Sequence, residues 1–329
     1  MMTSPMRVPP AMSRRRFLAC SIPGLGAAVG AARAHGKPAT DVIPRLEEGM
    51  AWRDVRQWGV EGRGWEETEN YFDRLPARAK GLVRDPVWEL GRHSAGMCVR
   101  FATNATTISA RYKLLSPRLE MPHMPATGVS GLDLYAESDR GRWRWLGAAR
   151  PLAPQVTARR AAGVTPGHRS DLLYQPVYNG LDSREIGGAA AATFHPQPPR
   201  TRPLVVYGTS ITQGGCVSRP GMAYPAILGR RLDRPIINLG LSGNGKMDSE
   251  MGDLLAELDP AVYVIDCSAN LFAPAIEKRT PPLVRKIRGS RPRTPIVLVE
   301  DRTFANAWLV SGKREDNLAR RKALRTAYE

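Results

Sequence analysis

The chain has 329 residues, enough for two folded domains and a leader, and its 42% apolar content can fill real cores. Its formal charge is +17, from 48 Lys and Arg against 31 Asp and Glu, which raises nucleic acid as a partner. The basic residues are nearly all Arg and are scattered. No aromatic-interleaved basic stripe, zinc spacing or recognition-helix pattern accompanies them, so the sequence argues against that class.

Residues 1–34 read as a leader. Ser13-Arg14-Arg15-Arg16-Phe17-Leu18 is similar to a twin-arginine export signal, Leu18 to Ala32 is a short run of small and apolar residues, and Ala32-Arg33-Ala34 offers an A-x-A cleavage site. The run is too short and too Gly-rich for a stable membrane span. The expected location of the mature protein is therefore the periplasm or the exterior. Cys20 leaves with the leader. Cys98, Cys216 and Cys267 remain, with no C-x-x-C or His/Cys cluster to suggest a structural metal. They are expected to be small buried side chains, with at most one disulfide among them.

Residues 40–198 carry short β-type runs broken by Gly, Pro, Asn and Asp, such as Gly96–Phe101, Thr106–Tyr112, Leu132–Tyr135 and Arg142–Leu146. Alternation of period two with regular turn signals predicts an antiparallel β-sandwich. Trp52, Trp58 and Trp65 read as packing between domains rather than as a sugar-stacking surface. Pro196–Pro203 is a proline-rich connector and marks the boundary to a second domain, residues 199–329.

Beyond the connector, short apolar strands alternate with helices. Strands are predicted at Leu204–Tyr207, Ile236–Leu239, Ala261–Ile265 and Pro295–Val299. Helices are predicted near Ala223–Leu232, Ser249–Leu258, Pro282–Arg288 and Lys313–Glu329. This βαβ spacing means an α/β domain with a parallel sheet covered on both faces. Ligands of such sheets bind at the carboxyl ends of the strands. The first strand ends in Gly208-Thr209-Ser210-Ile211-Thr212-Gln213-Gly214-Gly215, a Gly-flanked turn that lifts a serine above the sheet edge. A phosphate-cradling loop would need a Walker lysine or a G-x-G-x-x-G order, and neither is present. The second strand leads into Leu241-Ser242-Gly243-Asn244-Gly245 and the third into Asp266-Cys267-Ser268-Ala269-Asn270. A nucleophile and two sources of N–H donors on adjacent loops suit acyl transfer.

These segments resemble the SGNH (GDSL-like) hydrolase superfamily. Gly208–Gly215 is similar to its first block, with Ser210 as nucleophile; Gly243 matches the glycine of the second block and Asn270 the asparagine of the third. The resemblance implies that both join the Ser210 amide in an oxyanion hole. The third block reads D-x-x-x-N, a variant of a two-domain branch whose upstream β-domain carries a Gly-x-Asp-Leu-Tyr signature. Gly131-Leu132-Asp133-Leu134-Tyr135 fits that signature, as do Tyr174–Gly180 and Glu185-Ile186-Gly187. The fold so implied is a flavodoxin-like α/β SGNH domain, C-terminally incomplete, preceded by an antiparallel β-sandwich.

The family's general base lies in a final Asp-x-x-His segment, which this sequence does not contain. Its histidines, His35, His93, His123, His168 and His195, all precede Ser210. A serine without a base is a poor nucleophile at neutral pH. The chain therefore reads as a fragment, with His123 the best alternative base. The resemblance implies a serine esterase that cleaves carboxylic esters, acetyl esters of carbohydrate in particular, through an acyl-enzyme. An inactive carbohydrate-binding protein and a lipid or thioester hydrolase are the competing readings. The implied partner is an acylated small molecule or polysaccharide. No nucleic acid, metal or cofactor is called for, and the sequence leaves the oligomeric state open.

Overall fold

A computed structural model describes residues 43–329, which lie within one compact unit. The leader, with its twin-arginine motif, falls outside the described residues. The first half supplies β1 (Arg45–Glu47), β2 (Met50–Asp54), α1 (Asp85–Gly91), β3 (Cys98–Thr103), β4 (Ile108–Leu114) and α2 (Ala126–Val129). It continues with β5 (Asp133–Glu137), β6 (Trp143–Ala148), β7 (Gln155–Ala161), β8 (Arg169–Tyr174), β9 (Leu181–Ala189) and β10 (Phe194–Pro196). These strands form two antiparallel five-stranded sheets, ordered β1-β2-β9-β4-β7 and β10-β3-β8-β5-β6. In β4 the period-two alternation turns Ile108, Ala110, Tyr112 and Leu114 inward, where they meet Val99 and Phe101 of β3, Leu134 of β5 and Leu173 of β8 in one core. Trp58 joins that core against Phe101 and Phe194, and Trp52 is equally buried. Trp58 thus packs within the sandwich rather than between domains, whereas Trp65 packs against the core of the α/β half and its Nε1 donates to Glu257 (2.7 Å).

The central strands β5 and β8 of the second sheet are largely buried on both faces. The far side of that sheet, with Cys98, Tyr135, Leu172 and Tyr174, packs on Ala223 and Ala226 of the α/β half. This explains why β5 and β8 read as nearly continuous buried runs rather than as clean alternations.

The second half contains β11 (Leu204–Gly208), α3 (Ser210–Gln213), α4 (Tyr224–Leu232), β12 (Ile236–Gly240), α5 (Ser249–Glu257), β13 (Val262–Asp266), α6 (Ala273–Ser290), β14 (Ile296–Leu298) and α7 (Ser311–Tyr328). Its sheet is parallel and ordered β12-β11-β13-β14, with Gly208 level with Gly240 on one side and Asp266 on the other. The four predicted strands are all present. Helix α6 is much longer than the predicted 282–288 segment. It starts at Ala273-Pro274, where a missing N–H costs nothing, and runs through Pro281 and Pro282. Those two prolines leave the carbonyls of Glu277 and Lys278 without helix partners, and both residues are exposed to water. No helix among the described residues is long and apolar enough to cross a membrane.

The two sheet edges differ. The carbonyls of β12 are covered by Arg74, a guanidinium that is essentially fully buried: Nη1 donates to Asn238 O (2.9 Å) and Gly240 O (2.7 Å), Nη2 to Leu90 O (2.6 Å) and Nε to His93 O (2.7 Å). Burial among carbonyls lowers its pKa to about 10. At the other end β14 is an open edge among the described residues, with Val297 about half exposed.

The Gly131–Tyr135 signature acquires a physical meaning here. Gly131 lies so close to other backbone that an added Cβ would sit 2.2 Å from Ala149 O and 2.4 Å from Thr127 O. Asp133 reaches out of the sandwich, accepting from Gly221 N (2.8 Å) and from Trp145 Nε1 (2.9 Å). Tyr135 lies under the Arg230 guanidinium of α4, 4.1 Å from its ring centre. The connector is pinned as well. Arg200 grips the buried Glu61 through Nη2 (2.7 Å) and Nε (3.2 Å), and reaches Asp233 with Nη1 (2.7 Å).

Candidate active site

Ser210 is the first residue of α3, directly after the Thr209 N-cap, whose hydroxyl accepts from Ile211 N. Two groups anchor the short helix from below. The Thr212 hydroxyl donates to the buried Asp266 carboxylate at the end of β13 (3.0 Å), which also accepts from the Tyr224 hydroxyl (2.9 Å). Gln213, fully buried, is held at three points: its Oε1 accepts from Ser242 N (3.0 Å), and its Nε2 donates to Val177 O and to His93 Nδ1 (3.0 Å each).

The backbone of the Leu241–Gly245 loop is informative about where an oxyanion could sit. Ser242 N donates to Gln213, and Asn244 N and Gly245 N both donate to Leu241 O (2.8 Å each). Gly243 N has no partner among the described residues, nor has Ser210 N. Gly243 has a φ of +68°, a left-handed turn that glycine adopts without strain, and it is exposed. Asn270 follows β13 in a single 3-10 turn. The amide orientation that satisfies its surroundings has Oδ1 accepting from Asn244 N and Gly245 N, 3.3 Å from each.

Ser210 opens onto a cavity of about 570 Å³ whose lining includes Leu90, His93, Met121, His123, Tyr178, Ser242 and Asn244. Of the three sequence-derived residues, Ser210 lines the cavity directly. Gly243 sits between two residues that line it, and Asn270 bonds the same loop through Asn244 and Gly245 without itself lining the cavity. A second cavity of about 550 Å³ adjoins the first, with Glu89 and His93 in both walls. Its remaining polar lining comes mainly from Asp85, Arg92, Ser116 and Asn179.

Five residues that hold or line the site, Arg74, His93, Thr212, Gln213 and Asp266, carry no role in the sequence reading. Thr212 and Gln213 sit inside the Ser210 motif. Arg74 and His93 lie more than a hundred residues away, where no local pattern marks them. His123 does line the cavity, but neither it nor His93 is hydrogen-bonded to Ser210 among the described residues. Burial, with Arg74 nearby, lowers the His93 pKa to about 3, which makes it a weak base at neutral pH. His168 and His195 belong to the sandwich, and His35 lies outside the described residues. The cysteines are free. Cys98 and Cys267 are buried as expected, but Cys216 is exposed on the cavity rim, because the Gly214-Gly215 turn carries it out in a left-handed conformation (φ 63°).

A serine on a strand-to-helix turn above a parallel sheet, beside unpartnered N–H groups, is the layout of α/β serine acyl hydrolases. Residues 201–329 match the GDSL-like lipase/acylhydrolase family, and residues 50–194 match the N-terminal domain of SGNH-hydrolase-type esterases. Among solved structures, a protein described as a GDSL-like lipase from Bacteroides ovatus is 32% identical, over 84% of this chain and 81% of its own, with a TM-score of 0.79. The salicylyl-acyltransferase SsfX3 of a tetracycline biosynthetic pathway is 17% identical over 86% and 81%, with a TM-score of 0.61, and shares the fold. No curated protein matches the chain. The chain belongs to the SGNH (GDSL-like) hydrolase family.

Proposed function

We propose that this protein is a serine esterase that removes short acyl groups, acetyl in particular, from hydroxylated substrates such as polysaccharides. The observation that carries the reading is the pairing of Ser210, open to a cavity, with Gly243 and Ser210 N–H groups that nothing else engages. In the reaction the Ser210 hydroxyl adds to the ester carbonyl and passes its proton to a general base. The oxyanion is held by the Ser210 and Gly243 N–H groups and by Asn270 Nδ2. Collapse expels the alcohol with a proton and leaves an acyl-serine, which water then hydrolyses. No long apolar lid segment is visible in the sequence, which favours a short acyl group over a fatty chain. We also assign residues 1–34 as a twin-arginine leader, 40–198 and 199–329 as the two domains, and the periplasm or exterior as the place of work, on the motifs quoted above.

Hydrolysis of 4-nitrophenyl acetate, together with labelling by a fluorophosphonate probe, tests the reading. Wild-type protein labelled at Ser210, and loss of both signals in Ser210→Ala, is the expected result; equal turnover in the two proteins would overturn it. The lack of a histidine bond to Ser210 among the described residues favours one second reading, a polysaccharide-binding protein without turnover. Binding of acetylated xylan without probe labelling would select it.

A further inference from the structure

His93 follows α1, in the half of the chain that carries neither Ser210 nor the oxyanion-hole residues, yet it lies in the walls of both the Ser210 cavity and its polar neighbour. Its ring is oriented by a chain of bonds with little freedom. Ser242 N can only donate, so the Gln213 group facing it must be the carbonyl Oε1, and the other end of that amide must be the NH₂. One of its hydrogens goes to Val177 O, which can only accept, and the other goes to His93 Nδ1. Nδ1 is therefore an acceptor. A neutral imidazole with Nδ1 accepting carries its proton on Nε2. Arg74, whose Nε bonds the His93 carbonyl, adds a positive charge that opposes a second proton. Nε2 has no acceptor among the described residues, and it is not sealed from solvent. A fixed neutral donor thus opens where the two cavities meet.

We propose that His93 is a substrate-binding residue of the Ser210 site, its Nε2–H donating to an oxygen of a hydroxylated alcohol portion that extends from the Ser210 cavity into the polar cavity beside it. The assignment rests on reading Ser210 as the nucleophile, and it deepens that reading by naming the leaving side of the substrate. The neighbouring cavity suits such a group: Asp85 and Glu89, both on α1, line it as acceptors for hydroxyl protons. A plain hydrocarbon alcohol portion would make no use of these two carboxylates. His93 would thus select among esters rather than move the proton.

The test uses the Ser210→Ala chain, so that nothing turns over. The probes are methyl 3-O-acetyl-β-D-xylopyranoside, which carries free hydroxyls, and phenyl acetate, which carries none. Nitrogen-15 spectra at neutral pH should show the His93 proton on Nε2, with that resonance shifting on addition of the sugar ester. Adding His93→Ala should weaken sugar-ester binding about tenfold, the scale of one hydrogen bond, and change phenyl acetate binding less than about twofold. His93→Gln, which places an amide N–H near the same point, should recover most of the loss. A proton found on Nδ1, a sugar ester that does not bind or does not move the resonance, or equal weakening for both probes would overturn the proposal. Fluorophosphonate labelling of wild-type protein reports separately on Ser210. A protein that fails to label but binds the sugar ester through His93 refutes the esterase reading and leaves the His93 subsite standing.

Discussion

The Asp133 carboxylate accepts the Gly221 N–H at 2.8 Å, tying the sandwich to the turn that opens α4. The second carboxylate oxygen takes the Trp145 indole. Replacing Asp133 by Ala leaves the buried Gly221 N–H, and the indole of the half-exposed Trp145, without this acceptor, and such a loss costs about 2 kcal/mol. Asp133→Asn keeps one acceptor and should fall between. Denaturant unfolding of the three proteins checks the order, and a Asp133→Ala protein as stable as wild type would contradict it.

Arg74 should tolerate no replacement. Removing it strands the four carbonyls it binds, two of them on the β12 edge. Arg74→Ala is expected to cost on the order of 3 kcal/mol or more. Arg74→Lys should rescue little, because one ammonium cannot reproduce a planar fork directed at four oxygens. The drop in melting temperature for the two variants is the measurement.

Asn270→Ala should lower turnover of 4-nitrophenyl acetate by about a hundredfold or more, the usual effect of deleting one oxyanion donor. The Ser210 nucleophile itself is untouched, so the loss should fall on kcat rather than on KM. Near-full activity in this variant would remove Asn270 from the oxyanion hole.

Stability should respond to pH through two buried aspartates. Burial pushes the Asp133 carboxyl up to about 6 and the Asp171 carboxyl up to about 7, against the opposing effects of Arg219 and Arg169. A carboxyl raised in the folded state holds a proton that the unfolded chain has already released. Its contribution to stability is therefore highest near pH 4 and declines as pH rises toward 7. Asp171, fully buried and facing only Arg169 Nε at 3.3 Å among the described residues, is the cleaner of the two. Asp171→Asn should flatten the decline, measured as melting temperature from pH 4.5 to 8; an unchanged slope would count against the shift.

The open edge of β14 predicts a solubility effect. Val297→Lys places a charge on an exposed strand residue and should reduce aggregation on heating without lowering the melting temperature. Light scattering during a thermal ramp distinguishes this from a change in folding stability.

Much of the architecture was legible because it rests on periodicity. The apolar runs from Leu204 to Leu298 are short and evenly spaced, and β4 alternates strictly. The Ser210 turn was legible because its glycines and serine are contiguous. What remained hidden was set by contacts between distant segments. Nothing near Arg74 announces that it will cap β12, and Gln213 reads as an ordinary polar residue until Val177, Ser242 and His93 surround it. Pro281-Pro282 suggested a helix start, but the helix passes through both because the affected carbonyls face water. Cys216 was expected to be buried because free cysteines usually are, and the backbone turn overrides that preference.

That turn also makes the site observable without any chemistry at Ser210. Cys98 and Cys267 are sealed in the interior, and burial raises the pKa of both thiols, so neither should alkylate in the folded protein. Cys216, by contrast, stands at the rim of the Ser210 cavity. A small environment-sensitive dye attached there would be a reporter at the doorway, changing its emission as ligands arrive. Candidate substrates could then be ranked by occupancy alone.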